Sequence, residues 1–287
     1  MTGRELLVSY AWGVPTSEDR RPIGMFDSGF GGLTVARAAI DLLPNEDLVY
    51  LGDNARYPYG SRSSEEVRAF SSEIANFLLS RYDIKALVVA CNTATAAALD
   101  DLVAGLPIPV IGVIEPGVRA VIQASKRDRF AVIGTFGAIA SGAYENVVRR
   151  LSASSEVITA ACPGLVEFVE RGTTAGPEIE LLTQRLLAPV IEADVDALLL
   201  GCTHYPYLAE VIATAVGSNV TLVSSAEATA AALADLLSRE GLENPNTNRP
   251  GRQQFVSSGD IRAFTELGSR LLGPELIDAE LWQPGTT

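Results

Sequence analysis

The chain has 287 residues, 47% of them hydrophobic and 20% charged, a composition that supports packed cores and argues against a largely disordered protein. Its formal net charge of −13 would repel a phosphate backbone, and no block of basic residues interleaved with aromatic ones offsets it. We therefore do not expect nucleic acid as a substrate. An anionic small molecule stays possible, because a closed pocket presents its own hydrogen-bond donors. The length favours two ordinary domains.

The first 22 residues are predicted to be a polar N-terminal extension. They lack the cationic start and the apolar run of a signal peptide, and no stretch of about 20 apolar residues occurs in the chain, so we expect a cytoplasmic protein without a membrane span. Three cysteines are an odd number for a disulfide framework, and a reducing compartment would keep all of them as thiols.

From residue 23 onward, short apolar runs alternate with longer amphipathic stretches, which predicts strands alternating with helices. The runs are nearly continuous in Val, Ile and Leu, a pattern typical of parallel sheets covered by helices on both faces. The predicted strands are residues 23–27, 48–52, 86–91, 110–113, 130–135, 157–161, 197–202 and 220–224.

Two segments of the first half recur in the second half. The sequence around Cys91 (KALVVACNT) resembles that around Cys202 (DALLLGCTH), and IGMFDS at residues 23–28 resembles FAVIGT at residues 130–135. The repeats predict an α/β fold of two pseudo-symmetric lobes, each a mainly parallel sheet flanked by helices. We assign residues 23–116 and 227–287 to the first lobe and 117–226 to the second. Residues 244–254 read as a loop and 261–272 as a helix that packs back on the first lobe.

Both repeated cysteines fall at the carboxyl end of a predicted strand. Ligands of open parallel sheets bind beyond those ends, so we expect both thiols in the cleft between the lobes. Removal and return of an amino-acid α-proton needs a base on one face and an acid on the other. Two opposed thiols fit that requirement, and the sequence therefore predicts a cofactor-independent amino-acid racemase.

Cys91 precedes a helix-forming run with polar residues at its start, Asn92 and Thr93. A helix N-terminus or a nearby charge lowers a thiol pKa, so we expect a useful thiolate fraction here. A buried core cysteine is the alternative interpretation. Cys202 is followed by Thr203 and His204, the only histidine of the chain, for which a proton relay and a structural role are equally consistent with the sequence.

Asp27 ends the first predicted strand and is followed by a glycine-rich turn, SGFGG. A phosphate cradle is the first interpretation, but the spacing is not G-x-G-x-x-G and no Walker lysine follows. Asp27 would repel phosphate, whereas it could bind an ammonium group or tune a thiol. The glycines can also serve turn geometry alone.

Two cofactors, pyridoxal phosphate and zinc, are alternatives to a cofactor-independent mechanism. A pyridoxal phosphate racemase needs a Schiff-base lysine, and the two lysines, Lys85 and Lys126, precede strands at the edge of the sheet away from the expected site. Zinc could be held by Cys91, Cys162, Cys202 and His204, but no C-x-x-C pair occurs. We expect neither a metal nor an organic cofactor.

Taken together, the motifs resemble those of the glutamate racemase family, within the wider aspartate/glutamate racemase group. The resemblance spans nearly the whole chain after Arg21. It rests on the order and spacing of GMFDSGFGGLT at 24–34, GD at 52–53, PYG at 58–60, ACNTA at 90–94, ACP at 161–163, VE at 169–170 and GCTHYP at 201–206.

The resemblance implies racemisation of glutamate, which supplies D-glutamate for bacterial peptidoglycan. It implies that Cys91 removes the α-proton of D-glutamate with support from Asp27. Cys202 would remove that of L-glutamate with support from Glu170 and His204. The substrate-binding residues that it implies are Asp27, Ser28, Tyr59, Gly60, Asn92, Thr93, Thr135, Thr203 and His204. Cys162 has no counterpart in the repeated segments, and we expect it to be structural. A homodimer is compatible with the sequence.

Two positions depart from the family pattern. Ala138 replaces a common Thr, which would remove one polar contact near the ligand, and Asn54 replaces a common Thr after Asp53. Two further functions stay open at this point. One is a racemase of the same fold that acts on aspartate or another acidic amino acid, and the other is a non-catalytic regulator that binds a partner.

Overall fold

The computed structural model describes residues 19–245 and 248–285, so most of the predicted N-terminal extension lies outside the described residues. The strands within this part of the chain are β1 (Ile23–Asp27), β2 (Leu48–Gly52), β3 (Ala86–Val89), β4 (Val110–Gly112), β5 (Arg129–Gly134), β6 (Glu156–Ala161), β7 (Ala197–Gly201), β8 (Thr221–Ser224), β9 (Gln253–Ser257) and β10 (Glu280–Leu281).

Helices follow most of the strands. They are α1 (Leu33–Leu42), α2 (Ser64–Tyr82), α3 (Asn92–Gly105), α4 (Ile114–Ala124), α5 (Phe136–Ala140), α6 (Ala143–Leu151), α7 (Leu165–Glu170), α8 (Pro177–Glu192), α9 (Ala209–Val216), α10 (Ser225–Glu240) and α11 (Ile261–Leu272). Two short 3₁₀ helices, Tyr59–Ser61 and Tyr205–Leu208, lie in loops.

The strands form two separate parallel sheets. The first has the order β10-β9-β2-β1-β3-β4 and the second the order β6-β5-β7-β8, and every pairing is parallel. In the second sheet, β5 lies between β6 and β7 with β8 at the edge, as β1 lies between β2 and β3 with β4 beyond. This shared order confirms the predicted α/β fold with two related sheets, and β9 and β10 extend the first sheet only.

Helices cover both faces of each sheet, which is why the central strands are buried along their whole length. In the first sheet, one apolar cluster joins the strands to α1 and α10, and another joins them to α2 and α3. The second sheet also has two clusters, one towards α8 and α9 and one towards α4 and α6. The burial of both faces accounts for the near-continuous apolar runs.

The carboxyl-terminal segment forms two strands, β9 and β10, that the sequence pattern did not predict. Residues 253 and 254, expected in a loop, begin β9, which pairs with β2 from Leu48↔Gln253 to Gly52↔Ser257. The pairing with β2 is made by backbone hydrogen bonds, and the two glutamine side chains do not prevent it. The helix expected at 261–272 is α11, whose Asp260 side chain accepts a capping hydrogen bond from the Ala263 N–H at 3.0 Å. The segment packs on the first sheet.

The predicted lobe boundaries fall inside α4 and α10, and that division stays a prediction. None of the helices within residues 19–245 and 248–285 has the length and apolar character needed to cross a bilayer.

Candidate active site

A cavity of about 350 Å³ lies beyond the carboxyl ends of the central strands of both sheets. Both repeated cysteines line it, Cys91 from the first sheet and Cys202 from the second. Eight further predicted site residues also line the cavity: Ser28, Tyr59, Gly60, Asn92, Thr93, Thr135, Thr203 and His204. Asp27 and Glu170, which were also predicted, lie behind this wall and contact residues that form it.

Cys91 caps the N-terminus of α3. Its Sγ accepts a hydrogen bond from the Ala94 N–H at 3.4 Å and lies 3.7 Å from Ser28 Oγ. These contacts lower the thiol pKa, but burial and then the Asp27 carboxylate raise it more, to about 12. The prediction of a useful thiolate fraction at Cys91 is therefore wrong. The residue is a thiol at neutral pH, because burial raises its pKa by more than the helix N-terminus lowers it.

Cys202 follows β7, and the 3₁₀ helix Tyr205–Leu208 turns the chain away from the sheet. His204 Nδ1 lies 3.8 Å from Cys202 Sγ, and His204 Nε2 lies 3.1 Å from Glu170 Oε1. Burial alone would lower the pKa of His204, but the hydrogen bonds to Cys202 and Glu170 outweigh it and raise the pKa to about 10. The imidazole is therefore a cation at neutral pH, held between a sulfur and a carboxylate.

The glycine-rich turn after β1 packs against the loop after β7 that carries Cys202, Thr203 and His204. Asp27 is fully buried; it accepts hydrogen bonds from the Gly29 N–H at 2.9 Å and from Thr203 Oγ1 at 3.4 Å. A Cβ at Gly31 would lie 2.3 Å from Thr203 Oγ1 and 2.5 Å from His204 Nδ1. Close approach of the two loops requires this glycine, which explains the motif without a phosphate ligand.

Hydroxyl and backbone groups from both halves meet along the cavity wall. Thr93 Oγ1 and Thr135 Oγ1 are 2.9 Å apart and join α3 to the end of β5. Tyr59 is buried, and its hydroxyl donates to Asp53. A Cβ at Gly60 would lie 2.9 Å from the Thr135 Cβ. The wall therefore carries hydroxyl and amide groups of the kind that bind carboxylates.

Sequence reasoning missed several wall residues. Tyr57, Phe136 and Glu167 line the cavity, and the Tyr57 ring lies 6.3 Å from the His204 ring. The first stands beside the recognised PYG motif, but nothing in its residue type indicated a role. Cys162, expected to be structural, also lines the cavity and is fully buried. The two departures lie elsewhere: Ala138 is buried outside the wall, and Asn54 accepts a hydrogen bond from Ser257 Oγ.

The residues considered for cofactors lie in other surroundings. Lys85 is buried and its Nζ lies 2.6 Å from Glu46 Oε2, while Lys126 is exposed; neither lines the cavity. In the described part of the chain, no group of three or more His, Cys, Asp and Glu side chains is arranged to hold a metal ion.

Comparison with known proteins gives one consistent family. The sequence profile of the family described as Asp/Glu/Hydantoin racemase matches residues 33–233. The glutamate racemase of Parafrankia sp. is 48% identical over 255 residues, covering 89% of this chain and 92% of that protein. That of Mycobacterium tuberculosis is 47% identical over 255 residues, with 89% and 93% covered.

Solved structures agree. Glutamate racemase isoform RacE1 from Bacillus anthracis superposes with a TM-score of 0.85 at 42% identity, covering 92% of this chain and 97% of that one. Glutamate racemase from Francisella tularensis in complex with D-glutamate gives 0.85 at 34% identity, with 92% and 98% covered. The aspartate racemase of Picrophilus torridus, at 18% identity and a TM-score of 0.52, shares the fold alone.

Proposed function

Because this chain belongs to the Asp/Glu/Hydantoin racemase family, we propose that it interconverts L- and D-glutamate by acid–base chemistry at two thiols. The observation that carries the proposal is the cavity itself, which both cysteines line from different sheets. An α-carbon held between them would meet one sulfur on each face, the arrangement that inversion requires.

Cys202 is proposed to take the α-proton of L-glutamate. The His204 imidazolium lies with its Nδ1 3.8 Å from the Cys202 sulfur, and the Glu170 carboxylate holds that imidazolium in place. When the Cys202 sulfur takes the proton, the C–H electron pair stays on the substrate, delocalised into the α-carboxylate. Abstraction therefore leaves a Cys202 thiol and a planar carbanion.

Cys91 then delivers its proton to the opposite face of that carbanion. Its pKa of about 12 keeps it as a thiol before substrate binds, which is the state this direction requires. The products are D-glutamate and a Cys91 thiolate. In the reverse direction, Cys91 removes the proton and Cys202 returns it, so each thiol acts as base for one enantiomer. Burial and then the Asp27 carboxylate raise the pKa of Cys91, so Asp27 supports that thiol in its role as proton donor.

Substrate binding is assigned to the polar wall. Glutamate carries two carboxylates and one ammonium group, which need several donors and at least one acceptor. The donors would be supplied by the side chains of Ser28, Asn92, Thr93 and Thr135, and by the backbone N–H groups of Tyr59, Gly60 and Thr203. Asp27 would attract the ammonium group through the thin wall that Ser28 and Thr203 form.

The biological setting is part of the same proposal. The reaction would supply D-glutamate for peptidoglycan in the cytoplasm, where a reducing environment keeps the three free cysteines as thiols. The enzyme would need no cofactor. Assembly as a homodimer is proposed with it and is tested by sedimentation of the purified protein.

The test is turnover of each enantiomer followed by circular dichroism, with purified protein and no added cofactor. We expect L- and D-glutamate each to decay to a racemic mixture, and L-aspartate to react far more slowly. An inactive protein with both cysteines reduced would contradict the proposal. Faster turnover of aspartate would instead favour the related racemase of that amino acid.

A further inference from the structure

Tyr144 is a buried tyrosine that neither the sequence motifs nor the proposed chemistry uses. It lies at the start of α6, next to the second sheet, and its side chain is fully buried. Its hydroxyl lies 2.7 Å from Asn92 Oδ1 and 3.1 Å from the Gly201 carbonyl oxygen. Asn92 directly follows Cys91, and Gly201 directly precedes Cys202. One hydroxyl group therefore touches the neighbours of both thiols.

The hydroxyl has one proton for two acceptors, and the shorter distance directs it at Asn92 Oδ1. That bond fixes which end of the amide faces Tyr144. The other end, Asn92 Nδ2, is a buried donor without a hydrogen-bond partner among the described residues. Because Asn92 also lines the cavity, its N–H groups remain available for an acceptor on the substrate.

The contact with Gly201 leaves no room for a side chain there. A Cβ at Gly201 would lie 2.6 Å from the Tyr144 hydroxyl oxygen and 2.6 Å from the Ile133 carbonyl oxygen. Burial, followed by the two thiols, raises the pKa of Tyr144 well above its usual value, so the hydroxyl stays a donor throughout the working pH range. The tyrosine thus joins α3 of the first half to the end of β7 in the second.

We propose that Tyr144 is a positioning residue that holds the Asn92 amide with its N–H groups directed to a substrate carboxylate. The inference rests on the proposed racemase function. It predicts that Tyr144 acts through Asn92, and that removal of its hydroxyl affects substrate binding in both directions of the reaction.

A double-mutant cycle tests this coupling. We expect Tyr144→Phe to lower kcat/KM on the order of fivefold, the size of one neutral hydrogen bond, with KM raised for both enantiomers. In an Asn92→Ala background, the same change should lower kcat/KM by less than about twofold, because the amide it positions is gone. Equal losses in both backgrounds, or no loss in either, would overturn the proposal.

Tyr205→Phe is the matched control. It removes another fully buried hydroxyl, which donates to the Cys162 carbonyl oxygen at 3.0 Å within the second half of the chain. Thermal melting should show similar losses of stability for both phenylalanine variants. The effect of Tyr205→Phe on kcat/KM should be the same with and without Asn92→Ala. If Tyr205→Phe were coupled to Asn92→Ala as strongly as Tyr144→Phe is, the cycle would measure only a general loss of structural order, and the proposal would fail.

A second variant keeps the test independent of how well Tyr144→Phe folds. Asn92→Asp retains an oxygen for Tyr144 but replaces the amide donors with an anion, so KM for both enantiomers should rise more than tenfold, since a hydrogen bond to a charged group is lost and a like charge is added. An unchanged KM would overturn the proposal. Activity of the wild-type chain is read in the same assay, and its absence would refute the proposed function itself rather than the role of Tyr144 alone.

Discussion

The ionisation of His204 depends on Glu170, and Glu170→Gln tests that dependence directly. The substitution keeps the shape of the side chain and an oxygen 3.1 Å from His204 Nε2, but it removes the negative charge. A hydrogen bond to a charged group contributes about 1.5–3 kcal/mol and a neutral one about 0.5–1.5 kcal/mol, so the imidazolium loses about 1–1.5 kcal/mol of stabilisation.

One pKa unit corresponds to about 1.36 kcal/mol, so the pKa of His204 should fall by about one unit. The pKa of His204 is raised to about 10 in the wild type and should therefore be about 9 in the variant. The sign follows from the charge: the carboxylate stabilises the protonated ring, and its loss lets the ring release its proton at lower pH. The alkaline limb of the rate profile should move in the same direction.

The assay is imidazole NMR over a pH titration. The chain has one histidine, so its ring signals need no assignment. Glu167→Gln is the matched control, since Glu167 lies on the same helix α7 and lines the cavity, yet no hydrogen bond joins it to His204. The control should leave the titration near its wild-type position. A wild-type His204 pKa of about 6.5, the value of an isolated histidine, would contradict the claim that Glu170 raises it. An equal pKa shift in both variants would contradict it as well.

Three further predictions follow from the site. Cys91→Ser and Cys202→Ser should each abolish racemisation in both directions. Cys91→Ser should still eliminate chloride from L-chloroglutamate, and Cys202→Ser should still eliminate it from the D form. Loss of both eliminations in folded variants would contradict the proposal that each thiol acts independently as a base. Gly31→Ala should lower the unfolding free energy by about 1–3 kcal/mol, since its Cβ would lie 2.3 Å from Thr203 Oγ1. Gly105→Ala, with open space around its Cβ, should leave the unfolding free energy nearly unchanged. Equal losses of stability in thermal melts of the two variants would refute the packing argument. Exhaustive chelation should leave racemase activity intact, and activity restored by zinc would revive the metal site.

Much of the fold was predictable because its signals are local. The ends of β1 and β2 match the predicted strands, and α11 matches the predicted helix, since a five-residue apolar run and a capped amphipathic stretch are complete in themselves. The repeated segments also predicted two related lobes, and the two sheets share a strand order. The strand β9 was not predicted, and its first two residues were expected in a loop, because a strand that begins with two glutamines becomes recognisable only when β2 is beside it.

The candidate site was likewise predictable only in part. The residue types and their order pointed to both thiols, and ten predicted residues line one cavity. The sequence did not reveal Tyr144, because a tyrosine in an amphipathic helix resembles any core residue until its hydroxyl is seen between Asn92 and Gly201. It also gave the wrong direction for the pKa of Cys91, since a helix terminus is visible in the sequence but the extent of burial is not.

The sequence by itself determined which chemical groups stand at strand ends and helix starts, because those positions depend on neighbours a few residues away. Only the tertiary structure decided how the groups act on one another. Ser28 contacts Cys91 across 63 residues of chain, Glu170 contacts His204 across 34, and Thr203 contacts Asp27 across 176. Hydrogen bonds, burial and Coulomb interactions act over a few ångströms of space. The ionisation of the site is therefore fixed by the packing of the two sheets, which no local pattern records.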